Sequence, residues 1–260
     1  MLHELSHLIL QITREYFVIG FISVGYLTWR KDAFSRALFI LLFTMLLNPY
    51  LKSLFQIPLD PALGKQGWAF PSGHMQTTFT LWVWLAWELR HRIFTVVASL
   101  VVVGVAFALV HEGYHNVKDI MGAVGFGLAT LLAYAFVCRV TPQDRHPYLG
   151  VFMAAIGLFL IFITPENLPH MWIAEGALVG FSIGWAIYHA WDTDDWLFRR
   201  RYTVAAAFLG IVGLYVLTIP LKGYMGLEGL NFIRFSAIAF WVSHGAEAVV
   251  YYIHRITGRL

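Results

Sequence analysis

Nine apolar stretches, separated by short connections, account for most of this chain. They run approximately over residues 17–29, 34–54, 74–90, 94–112, 116–138, 148–164, 170–191, 202–220 and 232–253. A helix that crosses a bilayer needs roughly 20 mainly apolar residues, so each stretch predicts one crossing. The connections leave no room for a soluble domain. Of the 260 residues, 59% are hydrophobic and 13% charged, which excludes an ordinary water-soluble globular protein. The expected architecture is all-α: a polytopic membrane bundle of about nine transmembrane helices, forming one domain over residues 1–260.

The first sixteen residues set Leu2, Leu5, Leu8 and Ile12 at the spacing of one helical face, among His3, Glu4, His7 and Glu15. Two readings stand side by side: an amphipathic helix lying on the membrane surface, or an extension of the first span. The segment lacks the basic start of a secretory signal. Cys138 is the sole cysteine, which rules out an internal disulfide and a cysteine metal cluster. A formal charge of +3 is no signal for nucleic acid. Its distribution says more. With the N-terminus outside, twelve of the 18 Lys and Arg residues fall on inner connections. Arg14, Lys52, Lys65, Lys118, Lys222 and Arg234 fall outside, in keeping with the positive-inside rule. This topology predicts a bacterial inner membrane protein with Lys52, His74, His115 and Asp119 at the outer, periplasmic face.

Those four residues carry the chemistry. Pro71 and Ser72 read as the first-turn proline and the cap of the third span. A helix start offers unpaired N–H groups and the positive end of the dipole to a phosphate. Gly73 allows close backbone approach, and His74 beside it is positioned to give a proton to a leaving oxygen. His115 and Asp119, four apart, share a helical face. A carboxylate on one imidazole nitrogen fixes the tautomer and frees the other as a nucleophile. A structural polar pair is the plainer alternative, but charged groups at membrane depth are costly and usually functional.

Taken together, Asn48 and Lys52, then Phe70-Pro71-Ser72-Gly73-His74-Met75-Gln76, then Gly113-Tyr114-His115 with Asp119, resemble the type 2 phosphatidic acid phosphatase (lipid phosphate phosphatase) superfamily. The resemblance covers roughly residues 34–138, with additional spans over 148–253. It implies a lipid phosphatase or phosphotransferase working through a phosphohistidine. His115 would be the nucleophile, Asp119 its orienting partner, and His74 the acid and then the base. Lys52, Ser72 and the Gly73 amide would hold the phosphoryl oxygens. The partners implied are the bilayer and a lipid phosphate substrate; neither a cofactor nor nucleic acid is expected, and no oligomeric state is implied.

The family's first motif ends in Arg-Pro where this chain has Leu59-Asp60. Its third begins Ser-Arg where this chain has Ala108-Leu109. Guanidinium pairs are strong phosphate ligands, so a phosphomonoester dianion loses two of them here, with Lys65 and Lys118 as candidate substitutes. Three readings follow: a phosphatase with a rebuilt pocket, a head-group transferase resembling the sphingomyelin synthases, or an inactive lipid-binding relative. A competing motif overlaps: His111-Glu112-Gly113-Tyr114-His115 fits the His-Glu-x-x-His pattern of zinc metalloproteases, with Asp119 as a third ligand beside His111 and His115.

Several other polar groups lie within spans. Glu175 faces either the pocket or a neighbouring helix, and His244 and Glu247 are expected to pair with each other or with His189. Gly176, Gly180 and Gly184 repeat every fourth residue, which suits close helix packing. Trp172, Trp191 and Trp196 read as interfacial aromatics.

Overall fold

A computed structural model describes residues 2–64, 66–142, 145–165, 168–190 and 200–257. Eleven helices follow one another: α1 (Leu2–Gln11), α2 (Glu15–Thr28), α3 (Lys31–Phe55), α4 (Gly73–Leu89), α5 (Arg92–His111), α6 (Val117–Val140), α7 (His146–Ile163), α8 (Pro169–Ala190), α9 (Arg200–Leu217), α10 (Leu227–Phe240) and α11 (Ala246–Thr257). A π-helical turn at Trp241–Gly245 joins the last two. No strand occurs among the described residues.

Five helices are long and apolar enough to cross a bilayer: Lys31–Phe55, Arg92–His111, Val117–Val140, Pro169–Ala190 and Tyr202–Gly223. The bent pair α1–α2 makes a sixth if counted as one broken span. The expected nine is therefore met only in part. α4 has 17 residues and α7 presents a shorter apolar helix over Tyr148–Ile163. Outward-facing Leu100, Val103, Phe162, Leu209 and Leu217 are exposed, as lipid-facing side chains are. The protein is an integral membrane protein.

α1 does not lie across the end of the bundle. Ile9, Leu10 and Ile12 pack against Met75, Val105, Leu109, Ile120 and Ala123, while Leu2, Leu5 and Leu8 face outward. The helix follows α5 inward from its end, and the structure supports the extension reading. At Ile12–Arg14 the chain turns through three i→i−3 bonds before α2 starts, and the two helices meet at 51°.

α3 forms the central post, with Phe34, Phe39, Ile40 and Leu46 fully buried. α8 packs tightly on α10 because its glycines leave no side chain between them. A methyl group on Gly176 or Gly180 would strike the backbone of Phe232 or Ser236. The four-residue glycine repeat is therefore a packing stripe.

Away from the site, ion pairs tie the helix ends. Arg36 binds Glu88 through Nε at 2.6 Å and Nη2 at 2.9 Å. Lys31 binds Glu247, and His189 approaches Asp32 at 4.0 Å. Glu247 thus takes a lysine from α3 as its ion-pair partner, and its charge also reaches His244, three residues before it. Trp172 packs on the core and meets Phe232 edge-on; Trp191 and Trp196 lie outside the described residues.

Candidate active site

Local chemistry builds each half of the site. Ser72 caps α4, its hydroxyl accepting from the Met75 N–H at 3.4 Å, and is fully buried. That cap places Gly73 and His74 on the first turn and Thr77 one turn beyond Gly73, all lining one cavity. Asn48 of α3 fixes the turn from below, donating to the Pro71 carbonyl (3.2 Å) and to Gln76 Oε1 (2.8 Å). A side chain at Gly73 would press on Asn48 Oδ1, so only glycine fits under this bond.

The second half starts where α5 ends. Gly113 adopts φ +69°, and the amides of Tyr114 and His115 both donate to the Leu109 carbonyl, at 3.0 and 3.2 Å. A left-handed glycine closing a helix in this way is a common terminator. Asn116 then caps α6: its Oδ1 accepts from the Asp119 N–H at 3.0 Å, and the Asp119 carboxylate accepts from the Asn116 N–H at 3.1 Å. The same carboxylate oxygen lies 3.3 Å from His115 Nδ1. His115 and Asp119 are 8% and 3% exposed at the side chain. With Nδ1 held, Nε2 is the nitrogen left for the cavity that His115 lines.

Burial is the largest influence on His115 and holds its pKa below the ordinary histidine value. The nearby Lys52 charge adds to the lowering, Asp119 opposes it, and His74 lowers it further. A neutral imidazole with its carboxylate partner is the protonation state a nucleophile requires.

Lys52, one turn from the end of α3, donates to the Trp68 carbonyl at 2.6 Å and lines the same cavity. The cavity is about 420 Å³. Its polar end gathers Lys52, Gly73, His74, Thr77, His115 and His170. Its body is apolar, walled by Ile22, Leu38, Leu42, Phe181 and Val242. Leu38 and Lys52 both line it and stand fourteen residues apart on α3, about 21 Å at 1.5 Å per residue.

The structure thus brings Lys52, Gly73, His74 and His115 to one cavity, backs His115 with Asp119, and buries Ser72 behind the others as the cap. His170 was not anticipated. It opens α8 and stands within electrostatic reach of Lys52 and His74. Its only local signal is a histidine directly after the helix-starting Pro169.

The two positions where family arginines would stand are accounted for. Leu109 is buried in an apolar cluster with Val105 and Met75. Leu59 is half-buried outside the cavity lining, its N–H donating to the Gly67 carbonyl at 3.0 Å. Asp60, at the position of the family proline, is exposed and caps the short turn Pro61–Leu63 by accepting from the Ala62 N–H at 2.9 Å. It does not line the cavity and so does not oppose an anion there. Lys118 is exposed and also does not line the cavity. Lys65 lies outside the described residues.

The zinc-protease arrangement does not form. α5 stops at His111, whose ring stacks on Phe107 at 5.4 Å, and the Gly113 turn carries His115 off that helical face. Among the described residues, the ligand atoms of His111, His115 and Asp119 do not gather. Glu175 does not enter the cavity either. It is buried at the α7–α8 contact, with one oxygen against Gly157.

Residues 33–145 match the PAP2 superfamily. No curated protein and no solved structure matches the chain.

Proposed function

We propose, from the match of residues 33–145 to the PAP2 superfamily, that the chain is a membrane-embedded lipid phosphatase or phosphotransferase acting through a phosphohistidine. The match supports activity on phosphate esters in general. The observation that carries the finer reading is the cavity, with its histidine- and lysine-lined end and a long apolar body. A water-soluble phosphate ester has no use for an apolar tunnel, whereas a lipid fills it with acyl or prenyl chain.

In this reading His115 Nε2 attacks phosphorus, forming a P–N bond as the bond to the leaving oxygen breaks. His74 gives that oxygen a proton. Water or an acceptor hydroxyl then attacks the phosphohistidine, His74 takes its proton, and the P–N bond breaks. Lys52 and the first-turn N–H groups of α4 face the phosphoryl oxygens. Asp119 holds the His115 tautomer, and Ser72 supports by shaping the turn.

Among the described residues, Lys52 is the one lysine or arginine lining the cavity, so a phosphodiester carrying a single charge is the better match, and head-group transfer remains within the same chemistry. The whole chain then forms one membrane domain, with nine crossings and its site at the periplasmic leaflet of a bacterial inner membrane.

The test uses the full chain in detergent micelles with matched lipid phosphomonoesters and phosphodiesters. Inorganic phosphate release and head-group exchange are followed separately. Radiolabelled substrate should leave an acid-labile label on the protein that His115→Ala removes. Absence of both turnover and label on either class would defeat the proposal.

A further inference from the structure

Glu112 has a second set of neighbours. His3 and His7, one turn apart on α1, meet it where α5 ends. His3 Nδ1 lies 2.8 Å from Glu112 Oε2 and 3.0 Å from Oε1. His7 Nε2 lies 3.2 Å from His3 Nε2 and 3.5 Å from Glu112 Oε2. One ligand atom from each of the three falls within 4.8 Å of the others.

We propose that His3, His7 and Glu112 form a binding site for a divalent first-row metal ion of the zinc type, distinct from the catalytic cavity. Two imidazoles and one carboxylate are a three-ligand set that zinc accepts, with water completing the tetrahedron. Arms of about 2.1 Å place tetrahedral ligands roughly 3.4 Å apart, and one ligand atom from each of the three residues already lies within 4.8 Å of the others, so rotation of the exposed His3 and His7 rings closes the set. The imidazoles face each other nitrogen to nitrogen across an edge-on contact with centroids 4.4 Å apart. In the metal-free protein one ring donates its N–H to the other's nitrogen across this contact, and coordination to an ion would take the place of that hydrogen bond.

Exposure suits loading from solvent. His3 and His7 are 69% and 46% exposed at the side chain, while Glu112, at 6%, is the fixed floor. Its backbone is held as the α5 cap by the Ala108 carbonyl.

The ion fastens α1 to the end of α5, three residues before His115. It is a positioning site: it ties down the turn that carries the candidate nucleophile and the helix that leads into Thr13 at the cavity wall. Metal binding itself does not depend on the lipid-phosphatase reading and can be measured without any substrate.

The experiment uses the full chain in detergent, without a polyhistidine tag, stripped by chelator, exposed to zinc alone, and dialysed against metal-free buffer. We expect about one zinc retained per chain and a higher thermal midpoint. Glu112→Gln and His7→Ala should each weaken binding at least tenfold, and His111→Ala should leave it unchanged. Cobalt in place of zinc should give the visible absorption of a tetrahedral site in the native chain, lost in the double variant His3→Ala with His7→Ala. Both of those histidines are exposed, so that variant keeps the fold and the comparison decides. Zinc that fails to bind the native chain, or that binds the double variant equally well, overturns the proposal.

Discussion

The backbone N–H of Ser72 donates to the carbonyl of Asp119 at 3.2 Å. This bond joins the starts of α4 and α6, so the turn that carries His74 and the helix that orients His115 are held in one register. The residue that positions the candidate nucleophile therefore also anchors, through its backbone, the turn bearing the candidate acid.

Asp119→Asn should separate these roles. The backbone bond survives, and the amide still accepts from the Asn116 N–H. The charge that favours the attacking tautomer is lost. Turnover should fall by about 10²-fold or more, while thermal stability drops by no more than about 1 kcal/mol. Initial rates and thermal unfolding of the same samples check both.

His115→Ala and His74→Ala should each abolish turnover, whereas His111→Ala should retain most of it. His111 stacks on Phe107 outside the cavity. Rates measured on a lipid phosphate in micelles distinguish the three.

The acid limb of kcat/KM should lie below the ordinary histidine range, because burial and the Lys52 charge lower the His115 pKa. Lys52→Gln removes a lowering influence, so the limb should move up in pH. Asp119→Asn removes a raising influence, so it should move down. Stability has a matching sign. A depressed folded pKa means the contribution of His115 is fully present above the unfolded value and is lost as pH falls through the folded one. Rate profiles and unfolding curves across pH 4–8 read both.

Filling the apolar body should select by chain length. Ala177→Phe places a ring in the cavity wall without touching Lys52, His74 or His115. Activity on long-chain lipid phosphates should fall tenfold or more, and that on short-chain analogues should hold. Equal losses on both would argue against a chain-binding role.

Gly180→Ala should destabilise the bundle by about 1–3 kcal/mol, because the added methyl meets the Ser236 backbone. Thermal unfolding in detergent gives the value, and Gly213→Ala, with open space around it, is the control.

The core of the site was legible because its residues are polar groups at the ends of apolar runs, spaced by local rules. Ser72 as a cap, His74 beside it, and His115 four before Asp119 are all short-range patterns. His170 was not legible. It enters the cavity only because α8 packs against α3, and no local spacing encodes that meeting. The same limit applies to Glu247, whose partner Lys31 is 216 positions away. It applies equally to the His-Glu-x-x-His pattern, which assumes a helix that Gly113 ends. For the crossings, periodic hydropathy marked where helices run, but α4, with 17 residues, is shorter than an ordinary span. The first helix was open between two readings because its alternation of histidine, glutamate and leucine looks amphipathic. The face that packs, with Ile9 and the buried Ser6, is set by the groove beside α5.

The turn at Ile12–Arg14 interrupts a helix in a region where lipid offers no substitute for a lost backbone bond. Such an interruption survives where it opens onto something other than hydrocarbon, and here Thr13 opens onto the cavity. The break gives the hollow one of its walls: Thr13 reaches the cavity from the bend where the two helices meet at 51°. Replacing Thr13 and Arg14 with strong helix formers should straighten the rod and, by carrying position 13 away from the wall, reshape the hollow at that point.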